Sequence, residues 1–441
     1  MLAFPSLADS SRSRYVTFFY LYFMQGVPSG FALTALANYL TASGVSSSTV
    51  GSFITIIGIP WIVQMIWGPL IDKYRYSIVG EYKHWIVLTQ FAAVAASLVL
   101  LVVQHPAQQV WLLATLFFVH SIVASVQDAS VDAMAILITP TNEKGRVNAF
   151  MRGGILLGIS FGAAALSFVL HQWGFTASVL VQSGILLLFT MFFFFTRLHK
   201  TDSLFPRFTK NLLSGEIVDS DSLAVVFRRL LKAIFNGKAF RIFGFIGLSY
   251  LCFSVFTRSI NFYLIRNLSW SDSELSILTG GWGAMVTLTV ILLSGLFADK
   301  LGATRLQRFV LLGLSLFLLL FNGLLFASSS KSFITSGLLF WGIADPLYSI
   351  AAFPILMNMS DKQIAGSQFT AYMALINLAD IGGAYISGWL LLFVKGPYLG
   401  VVTGAVLLLI TMLLFKYKSQ LEPQKENAVT SSHPVNPDLD A

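Results

Sequence analysis

The sequence predicts an all-α membrane protein of twelve spanning helices in two pseudo-symmetric six-helix halves. Three observations carry this. The 441 residues are 56% hydrophobic and 11% charged, with a mean hydropathy of +0.76, whereas a soluble domain carries about 25% charged residues. Apolar runs of ~20 or more residues recur along the whole chain, each able to cross ~30 Å of hydrocarbon. Two segments more than two hundred residues apart are near-copies: Gly68-Pro69-Leu70-Ile71-Asp72-Lys73-Tyr74-Arg75, and Gly295-Leu296-Phe297-Ala298-Asp299-Lys300-Leu301-Gly302-Ala303-Thr304-Arg305. Each closes a long apolar run with Gly, then Asp four residues on, then basic residues. A repeated span ending is the mark of a chain built from two related halves.

In chain order the spans fall at 15–42, 49–71, 84–104, 110–138, 147–171, 177–196, 241–265, 274–298, 307–328, 333–359, 366–394 and 397–415. The first apolar stretch, from near Tyr15 to about Leu40, exceeds the 7–15-residue core of a signal peptide, so it reads as a retained span. This divides the chain into an N-terminal half (1–196), a linker (197–240), a C-terminal half (241–416) and a polar, Pro-containing tail (417–441) expected to be disordered. Within the linker, Leu223 to Phe235 reads as a basic amphipathic helix lying at the membrane surface.

Orientation follows from the positive charges. With both termini on one side, that side holds 24 of the 28 Lys and Arg residues and the opposite side 3, with Arg258 inside span 7. Cytoplasmic loops carry such an excess, so both termini and the linker are expected in the cytoplasm. The net charge of +8 is then an orientation signal, and neither it nor the 14% aromatic content points to nucleic acid. The lone cysteine, Cys252, excludes an intrachain disulfide. There is no Gly-x-x-x-x-Gly-Lys-Ser/Thr phosphate loop, no His-Glu-x-x-His and no Cys-pair metal motif, so no enzyme, cofactor or metal is expected. The expected partners are a small-molecule substrate, protons and the lipid bilayer, with the chain a monomer.

In the repeated segments, Gly68 and Gly295 allow close helix approach. Asp72 and Asp299 can cap a neighbouring helix N-terminus or meet Arg75 and Arg305. Together they read as a latch that holds one conformation, or else as two membrane-edge charges. This pattern resembles the signature of loops 2–3 and 8–9 in the major facilitator superfamily, the first copy carrying Tyr74 where a Gly is usual. A narrower resemblance lies in span 4, where Ser125-Val126-Gln127-Asp128-Ala129-Ser130-Val131-Asp132-Ala133 is similar to a stretch of the AmpG-like muropeptide permeases and the related acetyl-coenzyme A transporters. Trp67 to Tyr74 and Ala365-Gly366-Ser367-Gln368-Phe369-Thr370 resemble their span 2 ending and span 11 opening. The resemblance implies the major facilitator fold in a bacterial inner membrane, alternating access, and symport of a cell-wall breakdown product with protons. A drug or metabolite exporter of the same superfamily is the alternative. A transporter-derived receptor or membrane enzyme would need a large soluble domain or a catalytic set, and neither is in the sequence.

Each ionisable side chain near a span centre costs about 2.5–3.5 kcal/mol to insert, so each needs a reason. Asp128 and Asp132 stand one turn apart on one face of span 4. They repel each other and lose hydration, and a site that can be neutral or charged is what proton coupling needs. Arg152, at equal depth on antiparallel span 5, makes a structural ion pair the first reading for Asp132 and coupling the second, whereas for Asp128, with no local partner, the order is reversed. In span 7, Arg258 and Asn261 lie where the resemblance places the substrate. Arg258 either clamps a carboxylate or phosphate or partners Asp345 of span 10 or Asp380 of span 11. Tyr20, Tyr22, Gln25 and Ser29 give span 1 a polar stripe, read either as cavity lining or as helix–helix hydrogen bonding. Gln127 and Asn377 complete the candidate cavity residues. His120 reads as a packing residue.

Overall fold

The computed structural model describes residues 6–67, 70–71, 74, 79–140, 143–200, 202–203, 232, 237–283, 286–287, 303–327, 330–359 and 365–416. The first copy of the repeated segment, apart from positions 70, 71 and 74, lies outside these residues, as does the second up to residue 302. So do the surface helix of the linker, apart from Lys232, and the tail beyond 416. Gly68, Asp72, Arg75, Gly295 and Asp299 therefore have no described placement, and of the latch set Arg305 alone is seen, exposed at the start of span 9.

Helix occupies each of the twelve predicted positions, the eighth only over its first half among the described residues. Seven described helices are long and apolar enough to cross a membrane. One of these covers two predicted spans: a helical run, Lys144–Phe195, is broken at Gly174, whose φ of 83° and ψ of 178° are not helical. Only glycine takes that conformation without strain, and the break returns the chain as span 6. Span 1 has a wider turn in it. Ser11–Gly30 is α-helical, Phe31–Leu36 is π-helical and Ala37–Ala42 is α-helical again. A second π segment, Ile277–Trp282, follows Asp272–Ser276 at the start of span 8. Span 10 runs as Lys331–Trp341 and Ala344–Met359.

The described chain begins at Ser6 and ends at Lys416, and the end of the bundle carrying these two residues is the near end, the opposite one the far end. Within the N-terminal half, spans 1 and 5 touch backbone to backbone. Gly154, Gly158 and Gly162 of span 5 lie against the carbonyls of Phe19, Phe23 and Val27, leaving no room for a Cβ. Gly26 and Gly30 of span 1 lie in the same way against Ile155 and Ile159. Lipid tails are as apolar as the side chains, so close approach of this kind, rather than a hydrophobic force, joins membrane helices. The C-terminal half packs around large rings instead: Phe253, Phe256, Phe321, Trp341 and Tyr348 are buried together, and Phe256 meets Trp341 edge-on at 4.7 Å.

The two halves meet along spans 2 and 11. A Cβ on Gly51 would lie 2.8 Å from the Ala384 carbonyl, and one on Gly388 would lie 2.7 Å from the Ser47 carbonyl. At the near end, Arg14 is buried and fastens the N-terminal arm. It donates to the Leu7 and Ala8 carbonyls and pairs with Glu143 at 2.7 Å. Hydrogen bonds from Ser11 and Arg14 hold the Glu143 carboxyl below the usual carboxylate range.

Gly158→Ala is expected to push span 1 away from span 5 and lower the thermal midpoint of the purified protein. Overpacking of this type costs typically 1–3 kcal/mol. Gly184→Ala, where an added Cβ meets nothing within 4 Å, is expected to leave the midpoint unchanged.

Candidate functional site

Span 4 carries Asp128 and Asp132 on one face, and three successive turns of it are engaged by side chains from spans 1 and 2. The Tyr22 hydroxyl donates to Asp132 Oδ1. Gln64 Nε2 donates to Asp128 Oδ2 at 2.5 Å. Trp67 Nε1 donates to Ser125 Oγ at 3.0 Å. The two carboxylates thus sit mid-bundle with a neutral donor each, which lets them keep a hydrogen bond while partly desolvated.

The expected ion pair between Asp132 and Arg152 is not formed. Tyr22 supplies Asp132 with its donor, and Arg152 extends across to the other half, its guanidinium carbon 6.0 Å from the centre of the Phe353 ring on span 10. At that distance the attraction to the ring face is at its outer limit, so the guanidinium is only loosely held. Its charge nevertheless acts on Asp128, Asp132 and Asp345.

The C-terminal half presents a matching wall. Asp345, Ser349 and Phe353 recur every four residues and so share one face of span 10. Ser349 Oγ donates to Asp345 Oδ1 at 2.9 Å and lies 2.7 Å from the Tyr250 hydroxyl of span 7. A tyrosine on the first helix of each half thus meets the fourth helix of that half, Tyr22 directly at Asp132 and Tyr250 through Ser349 at Asp345. Asp380 on span 11 is half-buried. Its main-chain carbonyl accepts from Ser254 Oγ at 2.6 Å, and its charge acts on Asp345. Arg152 and Asp345 both present exposed surface although they lie well inside the bundle, so open space separates the halves at their depth.

The remaining candidates are scattered. Tyr20 stacks on Phe189 of span 6 at 5.4 Å. Gln25 is buried with neither amide atom hydrogen-bonded, and Gln127 is buried with its amide nitrogen unpartnered. Asn377 is half-buried one turn before Asp380. His120 is buried edge-on against Phe117, as a packing residue would be. Arg258 does not pair with Asp345 or Asp380. It sits toward the far end, where its Nη1 donates to the Leu33 carbonyl at 2.9 Å, and Asn261 lines the same far-end cavity. Sequence reasoning passed over Gln64, Trp67, Tyr250, Ser349 and Phe353. A signal existed for two of them, because Ser349 and Phe353 follow Asp345 at helical spacing.

Most of the described hydrogen bonds between the halves lie at the far end, with Thr55 Oγ1 to the Ile381 carbonyl at 3.4 Å nearer mid-bundle. Asn38 Nδ2 donates to Ser276 Oγ at 2.9 Å, Ser47 Oγ to the Gly388 carbonyl at 2.8 Å, and Arg258 to Leu33. An acidic space between two pseudo-symmetric helical halves, shut at one end by contacts between them, is the architecture of a membrane transporter rather than of an enzyme. The family model of the Major Facilitator Superfamily matches residues 17–384, and the chain belongs to that superfamily as a multi-pass membrane transporter. Among curated relatives it is similar to the anhydromuropeptide permease of Escherichia coli K12, with 20% identity over 418 residues, covering 90% of this chain and 79% of the permease. Among solved structures it is similar in fold to the nucleoside transporter NupG, with a TM-score of 0.69 at 12% identity over 92% of this chain and 99% of that one. It is also similar to the xylose transporter XylE of E. coli in its inward open conformation, with a TM-score of 0.64 at 15% identity over 94% of this chain and 98% of that one.

The hydrogen bond between Tyr22 and Asp132 makes a specific expectation. In a double-mutant cycle on thermal stability, Tyr22→Phe and Asp132→Asn should couple by about 0.5–3 kcal/mol, the range for residues in direct contact. Asp132→Asn with Arg152→Gln should couple less. A larger coupling for the second pair would restore the ion pair expected from the sequence.

Proposed function

We propose that this chain takes up a polar metabolite, of the sugar-peptide or muropeptide class, together with protons by alternating access. The observation that carries the reading is the pair of span 4 carboxylates, each with a neutral donor, beside an Arg152 that acts on both and reaches across to span 10 of the other half. The similarity to a muropeptide permease over 90% of the chain supports the substrate class, and the positive-charge asymmetry supports cytoplasmic termini in a bacterial inner membrane. On this orientation the far-end contacts lie at the outer face. The chain works as a monomer, because one copy carries both walls of the cavity.

The chemistry follows from the cost of burying charge. Arg152 is the sole cation among the described charges around the cavity, against Asp128, Asp132, Asp345 and Asp380. Ionising all four in a closed, dry cavity is unfavourable by like-charge repulsion and lost hydration. Protons supplied from outside neutralise Asp128 or Asp132, and the halves can then close around the substrate. Opening to the higher pH of the cytoplasm lets the proton leave, and the restored charge favours the open state. Tyr22 and Gln64 keep the two carboxylates in place through both protonation states, since each can donate to a carboxylate and a hydroxyl or amide dipole tolerates its neutral form.

The test is transport in vesicles of known orientation, with an imposed pH gradient and labelled anhydromuropeptide. Asp128→Asn is expected to abolish proton-driven accumulation while retaining substrate exchange, since exchange need not cycle the proton. Accumulation by Asp128→Asn at the unmodified level, with unmodified pH dependence, would contradict coupling at this residue. Substrate-driven outward flux would favour the exporter instead.

A further inference from the structure

Arg258 is a membrane-embedded cation for which no described carboxylate serves as partner. Its Nη1 is satisfied by the Leu33 carbonyl, but its Nε is buried without a hydrogen-bond acceptor. Leu33 belongs to the π-helical stretch of span 1, so the one acceptor Arg258 has is a backbone group of the other half, in a segment wound more loosely than an α-helix.

The guanidinium borders a small cavity of about 30 Å³, room for a single water-sized group. Asn38 and Thr41 of span 1, Ser47 of span 2, Asn261 of span 7 and Ser387 of span 11 share its lining, and no acidic side chain does. Ser47 is also the first residue of its helix, where the Ser46 side chain caps the Thr49 N–H and the helix dipole favours negative charge. Four elements from both halves therefore converge on a polar, positively charged recess at the far end. A buried charge without a counter-charge is costly, and five planar N–H donors match a carboxylate or phosphate.

We propose that this recess is an anion subsite, and that it receives the carboxylate or phosphate of the incoming substrate at the far face. Parting of the far-end contacts frees Arg258 from Leu33 and exposes the guanidinium to the outside. The anion replaces the Leu33 carbonyl as acceptor and also reaches the orphaned Nε. Closure then returns Nη1 to Leu33 and releases the substrate toward the central space. This assigns Arg258 a step distinct from the span 4 carboxylates: capture, with coupling left to Asp128 and Asp132. The direction of entry rests on the uptake reading, whereas the anion preference does not.

Two measurements separate these. In the first, thermal midpoints of purified protein are followed with acetate or inorganic phosphate at matched ionic strength. Stabilisation of the unmodified protein by one of them is expected, acetate indicating a carboxylate site and phosphate a phosphate site. Arg258→Gln should remove it and Arg258→Lys retain part of it. No stabilisation by either anion, or equal stabilisation of Arg258→Gln, overturns the subsite whatever the direction of transport. In the second, oriented vesicles take up anhydromuropeptide and its carboxyl-methylated form from the far side. Arg258→Gln is expected to raise KM for the acid about tenfold or more, the equivalent of losing one charge-assisted contact, and to leave KM for the ester unchanged. An equal rise for both forms would make Arg258 a lock between the halves and nothing more, and would overturn the proposal. Anion-dependent stabilisation without uptake of either form would leave the subsite standing and refute the uptake reading alone.

Discussion

Charge buried in hydrocarbon is the constraint around which this molecule is organised. A carboxylate or guanidinium at a span centre costs several kcal/mol unless something compensates it. The structure answers differently at each position. Asp132 and Asp128 receive neutral donors from spans 1 and 2. Asp345 receives one from its own helix. Arg258 takes a carbonyl from the other half. None of these is a full counter-charge, so the described charged groups remain responsive to protons and to a charged solute. A tight ion pair between Asp132 and Arg152 would have been cheaper to insert and would have fixed both groups in one state.

The helix packing serves the same end. Spans 1 and 5 are fused by glycines, so Tyr22 and Arg152 are held on a rigid unit within the N-terminal half. The junction between halves is also made of small residues along spans 2 and 11, and the described polar contacts across it lie mostly at the far end, with Thr55 to the Ile381 carbonyl nearer the middle. A rigid half and a sparse junction are what rocking of one half against the other requires. The two π-helical segments among the described residues lie at this far-end junction, in spans 1 and 8, and in span 1 the Leu33 carbonyl accepts from Arg258 of the other half.

Much of the fold was legible in the sequence, because hydrocarbon thickness sets span length and unpaired backbone is forbidden there. The helix Val110–Ile138 has the limits read from hydropathy alone. The mid-span charges were legible for the same reason, since each stands out against an apolar run. Their partners were not. Equal depth on neighbouring helices made Asp132 and Arg152 a plausible pair, but depth says nothing of rotation about the helix axis. That rotation is set by glycine contacts such as Gly158 against Phe23, which the sequence marks only as small residues at four-residue spacing. Tyr22 belongs to a polar stripe with Tyr20, Gln25 and Ser29 that carries no mark of which residue meets a carboxylate. Tyr20 and Tyr22 are two positions apart, enough to turn one toward Phe189 and the other toward Asp132. Arg258 lies within span 7 where the resemblance places the substrate, and the structure puts it toward the far end, against Leu33.

The central claim is that this acidic cavity binds its substrate together with protons. Its most direct test is calorimetry of anhydromuropeptide binding to the purified transporter near pH 7, in buffers of differing ionisation enthalpy. The account predicts that the observed enthalpy varies with the buffer in the sense of net proton uptake by the protein–substrate complex, and that this dependence shrinks in Asp128→Asn. Binding with an enthalpy independent of the buffer, in both proteins, would contradict it.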